Sequence, residues 1–310
     1  MDDNEKLMIL ILSVLYKTDK QWRNFEKEIK YNHRFFPKGE LLDELKRIQK
    51  YAVYEVEQGD IFYRARLFNP FEYYQKELKK AENIILKYFP DMKGDSALFD
   101  VSDTAGMEKF LMALSLLGGD SKLLFDELGQ IFKQNKRFWG YNQSESDVPP
   151  RDKALGGRAN PKDISYLYVA DDLKTAILEV RPNLKQNVSV ATVKIKKNLR
   201  LFDFCYVEKD ENERGKSLDL SVISEAFSKP NFSGEESYYA TQYICEFIRE
   251  QGFDGIRFYS SLNPEGRNIV LFDTTINAVT KSKNYKIINS RVYSVTKLDI
   301  GFQQEMPGGN

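Results

Sequence analysis

GFDGIRFYSSLNPEGRNIVLFD, residues 252–273, decides the fold class. GIRFYS and NIVLFD are short runs rich in β-branched and aromatic residues, and SLNPEG between them carries turn residues. The segment therefore predicts a strand ending in Ser260-Ser261, a loop and a second strand. Ahead of it, ESYYATQYICEFIREQG (236–252) has apolar residues at helical spacing. Gly252 suits the position just past a helix end, where the backbone turns left-handed. Further out, SYLYVA, VSVATVKI and LRLFDF read as strands, with the helix DDLKTAILEV near 171–180 among them. DIFYRARLF (60–68) also alternates as a strand does. Phe62, Arg64 and Arg66 share one face of it, and Tyr63, Ala65 and Leu67 the other.

The rest of the chain reads as helical. LMILILSVLY (7–16) and LLDELKRIQKYAVYEV (41–56) are apolar at helical spacing, with KTDK and FFPKGE as breaks. This predicts two or three N-terminal helices, the first of them buried. FEYYQKELKKAENIILKYF is a further amphipathic helix, and the stretch 104–134 reads as two helices parted at Gly118-Gly119. Polar, proline-bearing YNQSESDVPPRDK (141–153) is placed in a loop, and VEKDENERGKS (207–217) in a charged linker. The resulting class is α+β. Residues 1–57 form a helical N-terminal region, 58–300 a mixed domain whose stretch 70–150 is helical, and 301–310 a flexible tail.

Composition removes several function classes. Lys+Arg and Asp+Glu are 46 each, so no global positive field draws in nucleic acid. The apolar run 7–16 is about half the length a bilayer needs. It follows MDDNEK, whose acidic charge is the wrong sign for a secretory leader, so a cytoplasmic location without membrane attachment is expected. Cys205 and Cys245 stand in no metal-ligand or CxxC spacing and are expected as reduced, partly buried thiols. His33 is the single histidine, in the polar stretch KYNHRFF. A Ser-His-Asp or Cys-His mechanism would have to use it, and no metal site is expected. Chemistry must therefore run on Arg, Glu, Asp, Ser, Tyr or Lys.

Four pieces carry such residues: Tyr63-Arg64; GGRANP (156–161); SYLYVADDLKTAILEVRP, with Tyr168 and Glu179; and the strand ending at Ser260. Each alone also has a plain structural reading. Gly-Gly-Arg makes a tight turn, Glu179 pairs with Lys174 or Arg181 on a solvated helix, and Ser260 closes a strand. Taken in order, FYRAR, GGRANP, LYVA, AILEVRP and GIRFYSS resemble the RES family, named for its Arg, Glu and Ser. The resemblance spans roughly 60–68 and 154–273. The stretch of about ninety residues between Arg64 and Arg158 exceeds the short connection of minimal members, so the resemblance makes 58–300 a catalytic domain with 70–150 as a helical insertion.

The resemblance implies an ADP-ribosyltransferase-like mixed β core and cleavage of NAD at the nicotinamide–ribose bond. NAD is then substrate rather than cofactor, with inorganic phosphate as a further candidate ligand and an antitoxin protein as a candidate partner. It assigns Glu179, Arg64 and Ser260 to catalysis. Tyr63, Arg158 and Tyr168 are assigned to binding, with Arg66 and Ser261 as the neighbours one register step away. The chemistry is coherent. Bond breaking builds positive charge on the ribose, which a carboxylate beside it stabilises. Arginine forks match pyrophosphate oxygens. Tyrosine rings offer stacking faces. Water and phosphate as acceptors give an NAD glycohydrolase or an NAD phosphorylase. A protein acceptor gives an ADP-ribosyltransferase. An idle nucleotide-binding module would leave Arg64, Glu179 or Ser260 pointing away from a shared pocket.

Overall fold

A computed structural model describes residues 3–73, 75–88, 90, 121–134, 140–207, 219–228, 235–272 and 282–298. Eight strands form one mixed sheet: β1 (Val53–Val56), β2 (Ile61–Phe68), β3 (Leu167–Ala170), β4 (Asn187–Ile195), β5 (Leu199–Asp203), β6 (Gly255–Tyr259), β7 (Arg267–Leu271) and β8 (Tyr285–Ser294). Their spatial order is β1-β5-β6-β7-β3-β2-β4-β8. β5 and β6 pair in parallel, which requires a crossover. Two helices supply it, α7 (Leu220–Ser228) and α8 (Tyr239–Glu250). The α+β class is as expected.

The described residues fall into two compact units: Met1–Arg66 with Gln143–Arg181 and Val190–Ser290, and Leu67–Asn142 with Pro182–Ser189 and Arg291–Asn310. In the first, the sheet buries both faces. The register sets Tyr168 beside Val270 and Ile256 on one face. There they join a core with Trp22, Phe25, Leu45, Phe227 and Ile244. The alternate row, Leu167, Leu271 and Leu201, faces a second core with Phe62 and Val193. Gly255 sits where a Cβ would lie 2.2 Å from the Val270 carbonyl, so only glycine fits. In the second unit, the short α3 (Pro70–Tyr73) precedes α4 (Gln75–Tyr88), and α4 and α5 (Ser121–Gln134) pack through Ala81, Ile85, Leu124 and Leu128. Lys87 Nζ and Tyr88 Oη both reach the Glu127 carboxylate, at 2.9 and 2.7 Å.

The N-terminal expectations change in three places. α1 (Asp3–Lys27) runs straight through KTDK, where no break occurs. That segment has no Gly or Pro, and Val14, Thr18, Trp22, Phe25 and Ile29 make one buried stripe at spacings of three and four residues. Of the expected buried helix LMILILSVLY, Met8, Ile9, Leu12 and Tyr16 are 64%, 55%, 58% and 70% exposed, while Val14 is buried on the stripe that runs on to Ile29. α2 (Glu40–Ile48) also stops short of the expected helix, and VYEV becomes β1, laddered onto β5. The open edge of β5 outweighs the continuing helical period there. Two further elements, α7 and β8, are absent from the sequence expectations, although Leu220, Ile223 and Phe227 of α7 stand at helical spacing. α7 is nine residues long, and β8 mixes polar and apolar residues at the sheet edge. The expected helix over 104–117, the charged linker from 208 on and the tail 301–310 lie outside the described residues.

α8 ends as expected, with Gly252 at φ 84° and its N–H on the Arg249 carbonyl. His33 is exposed, with Nδ1 2.8 Å from Glu28 Oε1. Both cysteines are free thiols, and burial pushes Cys205 up to about 12, which disfavours the reactive thiolate. Among the described residues no helix is long and apolar enough to cross a membrane.

Candidate active site

The site is built on α6 (Leu173–Glu179), which follows β3 directly. Asp172 caps its N-terminus, accepting from Thr175 N–H at 2.9 Å and from the Thr175 hydroxyl. The helix ends at Glu179 because Val180 leaves the helical region and Arg181 turns left-handed at φ 47°. Glu179 is thus a last-turn residue held beside the sheet. Ser260 Oγ and Asn268 Nδ2 each donate to Glu179 Oε1 at 2.7 Å. Ser260 Oγ accepts from Leu262 N–H and Asn263 N–H at 3.2 and 3.1 Å. Its one proton and both lone pairs are therefore engaged. The same loop is tied to α6 by Asn263 Nδ2 on Thr175 Oγ1 at 2.7 Å. At Gly266 a Cβ would sit 1.9 Å from that oxygen.

GGRANP is a rigid loop. Gly157 N–H closes it on the Asn160 carbonyl at 2.8 Å. Asn160 Nδ2 reaches the carbonyls of Leu155, Pro161 and Ile164 at 3.1, 3.1 and 2.7 Å. Gln242 Nε2 donates to the Gly157 and Asn160 carbonyls. The Tyr168 hydroxyl completes the lock, donating to Asn160 Oδ1 at 2.6 Å and accepting from Ala159 N–H at 3.0 Å. Burial raises the Tyr168 hydroxyl above the usual tyrosine range, so it keeps its proton. A Cβ on Gly157 would meet Tyr168 Oη and Asn160 Oδ1 at 2.9 Å each, which explains glycine beside Arg158.

On β2, Tyr63 stands opposite Ala170. Arg64 Nη1 donates to the Tyr168 carbonyl at 3.2 Å, and its buried Nε has no hydrogen-bond partner among the described residues. Burial, then the neighbouring Arg66 charge, lowers the Arg64 pKa, and Asp147 acts against this. An arginine stays charged under such shifts.

These residues meet around a cavity of about 340 Å³, within the usual range of small-molecule sites. Tyr63, Arg64, Arg158, Tyr168 and Glu179 all line it, with Asn268, Phe227 and Phe258. Ser260 stands behind Glu179 rather than on the wall. Arg66 and Ser261, the one-step neighbours, do not line it. Arg66 is exposed and donates to the Glu145 carbonyl, and Ser261 donates to the Ser228 carbonyl at 3.0 Å. Sequence reasoning missed Asn268, Asn160 and Phe227. A polar side chain inside the strand NIVLFD was the available signal for Asn268. Asn160 lay within GGRANP, and for Phe227 the available signal was the helical spacing of Leu220, Ile223 and Phe227 on α7. Among the described residues no three His, Cys, Asp or Glu side chains gather as a metal site would require.

Fold and site together define an α+β protein with a carboxylate and arginines around one ligand-sized cavity. The RES domain family pattern matches residues 132–292, more than half of the chain, and the protein belongs to that family. A solved structure similar to it is that of the M. tuberculosis MbcT–MbcA toxin–antitoxin complex. There, 15% of residues are identical, the match covers 51% of this chain and 81% of that one, and the TM-score is 0.32. No curated protein matches.

Proposed function

We propose that this protein cleaves NAD at the nicotinamide–ribose bond, transferring the ADP-ribosyl group to water or inorganic phosphate, and serves as the toxin of a toxin–antitoxin pair in the cytoplasm. Membership of the RES family supports an NAD-directed enzyme, and an ADP-ribosyltransferase-like core belongs to the same proposal. One observation carries the reaction. Glu179 lines the cavity with Oε1 tied to Ser260 and Asn268, and with no partner for Oε2 among the described residues.

In the reaction the C1′–N bond breaks and its electron pair neutralises the pyridinium nitrogen. The positive charge passes to the ribose, beside Glu179, where a fixed carboxylate gains most in the transition state. Water or phosphate oxygen then bonds C1′, and water loses a proton to solvent. Nicotinamide leaves neutral, so no histidine acid is needed. Arg64 and Arg158, both on the cavity wall, bind the pyrophosphate, while the Tyr63 ring faces the nucleotide. No cofactor enters this scheme.

The test is incubation of purified protein with NAD, with and without phosphate, reading products by mass. Expected are nicotinamide with ADP-ribose, or with ADP-ribose 1″-phosphate when phosphate is the acceptor. Intact NAD under both conditions would overturn the proposal.

A further inference from the structure

Glu179 occupies the last turn of α6, where helix carbonyls point outward and the dipole disfavours a negative charge. A carboxylate there needs donors from elsewhere. Ser260 supplies one from the end of β6. The second comes from the middle of the sheet: Asn268 on β7 pairs with Ala170 on one side and Phe258 on the other, so its side chain stands on the cavity face. Both donors converge on the same oxygen, Oε1, at 2.7 Å. Two hydrogen bonds on one carboxylate oxygen fix the plane of the group and block its rotation. They leave Oε2 as the oxygen without a partner among the described residues. A single donor would let the two oxygens exchange.

We infer that Asn268 is a positioning residue. Its amide, together with the Ser260 hydroxyl, clamps Glu179 Oε1 so that Oε2 alone is presented to the developing charge. The inference rests on the proposed NAD cleavage. Asn268 acts through Glu179, so its removal lowers turnover and leaves substrate affinity almost unchanged. Losing one hydrogen bond to a charged group corresponds to roughly a ten- to hundredfold fall in kcat.

The experiment is a double-mutant cycle on nicotinamide release, with melting temperatures read for every variant. Asn268→Ala lowers kcat by that factor with KM within about twofold of wild type. Asn268→Asp, which preserves shape but replaces the donor by a second carboxylate, lowers kcat at least as far and serves if the alanine variant does not fold. In the Glu179→Ala background, where no carboxylate remains to be held, adding Asn268→Ala changes the residual rate less than twofold. An equal fall in both backgrounds, or a fall expressed in KM alone, assigns Asn268 a merely structural role and overturns the inference. A wild-type protein that releases no nicotinamide refutes the proposed reaction itself, and this inference with it. Active wild type beside fully active Asn268 variants refutes the inference alone.

Discussion

Replacing Glu179 by Gln is the sharpest probe of the proposed chemistry. Gln preserves the shape and keeps a carbonyl oxygen for the Ser260 hydroxyl and the Asn268 amide, so both 2.7 Å contacts survive in a neutral form. What disappears is the charge facing the cavity. A carboxylate about 4 Å from a full positive charge, at an effective dielectric of about 20, interacts by about 4 kcal/mol. At about 1.4 kcal/mol per decade this is at most a thousandfold in rate. Part of that attraction already exists toward the pyridinium of bound NAD, so only the difference accelerates the reaction. The expected fall in kcat is roughly a hundred- to a thousandfold, with NAD affinity nearly preserved. Turnover is read as nicotinamide release at saturating NAD, and binding separately by calorimetry. Near-normal turnover by Glu179→Gln would remove this residue from the mechanism. A large loss of affinity with unchanged kcat would mean that the carboxylate acts in ground-state binding instead.

Arg64→Ala should show the opposite split, raising KM roughly ten- to a hundredfold while kcat changes little, because pyrophosphate contacts persist from ground state to transition state. Arg64→Lys should not restore it, since a single ammonium cannot both reach the Tyr168 carbonyl and grip a phosphate as the fork does. Tyr168→Phe removes the acceptor of the Ala159 N–H and the donor to Asn160, so melting should report a loss of about 1–3 kcal/mol, with weaker NAD binding as the Arg158 loop loosens. Asp172→Ala should destabilise the fold by about 1 kcal/mol at neutral pH through loss of the α6 cap. Burial pushes the Asp172 carboxyl up, but its hydrogen bonds to Thr175 outweigh this and hold it below the usual range. Its contribution is therefore present above the unfolded-state value and fades as pH falls through the lowered one. Wild type and variant should converge in acid, and a stability gap independent of pH would refute the capping role.

Local sequence is enough for most strands. GIRFYS, NIVLFD and LYVA alternate or run apolar because both faces of the sheet are buried, and that pattern is written residue by residue. The α6 helix is legible from its spacing, and its end from the proline following Arg181. The resemblance of five short segments to RES proteins points to Tyr63, Arg64, Arg158, Tyr168, Glu179 and Ser260 through local motifs alone. Tertiary structure decides the rest. β1 is a strand only because β5 offers an unpaired edge, and α1 continues through KTDK only because Thr18 and Trp22 find a core. The choice between Arg64 and Arg66 depends on which one the pairing of β2 brings to the cavity. For Asn268 the sequence offers only a polar side chain inside the strand NIVLFD, which does not say what it bonds. Asn268 lies 89 residues from Glu179 along the chain, and its role exists only when β7 is laid beside β3 and α6 folds back onto the sheet. Periodicity is a local property that the chain encodes directly. A hydrogen bond across that distance arises only once loops, register and core packing have brought the two side chains together.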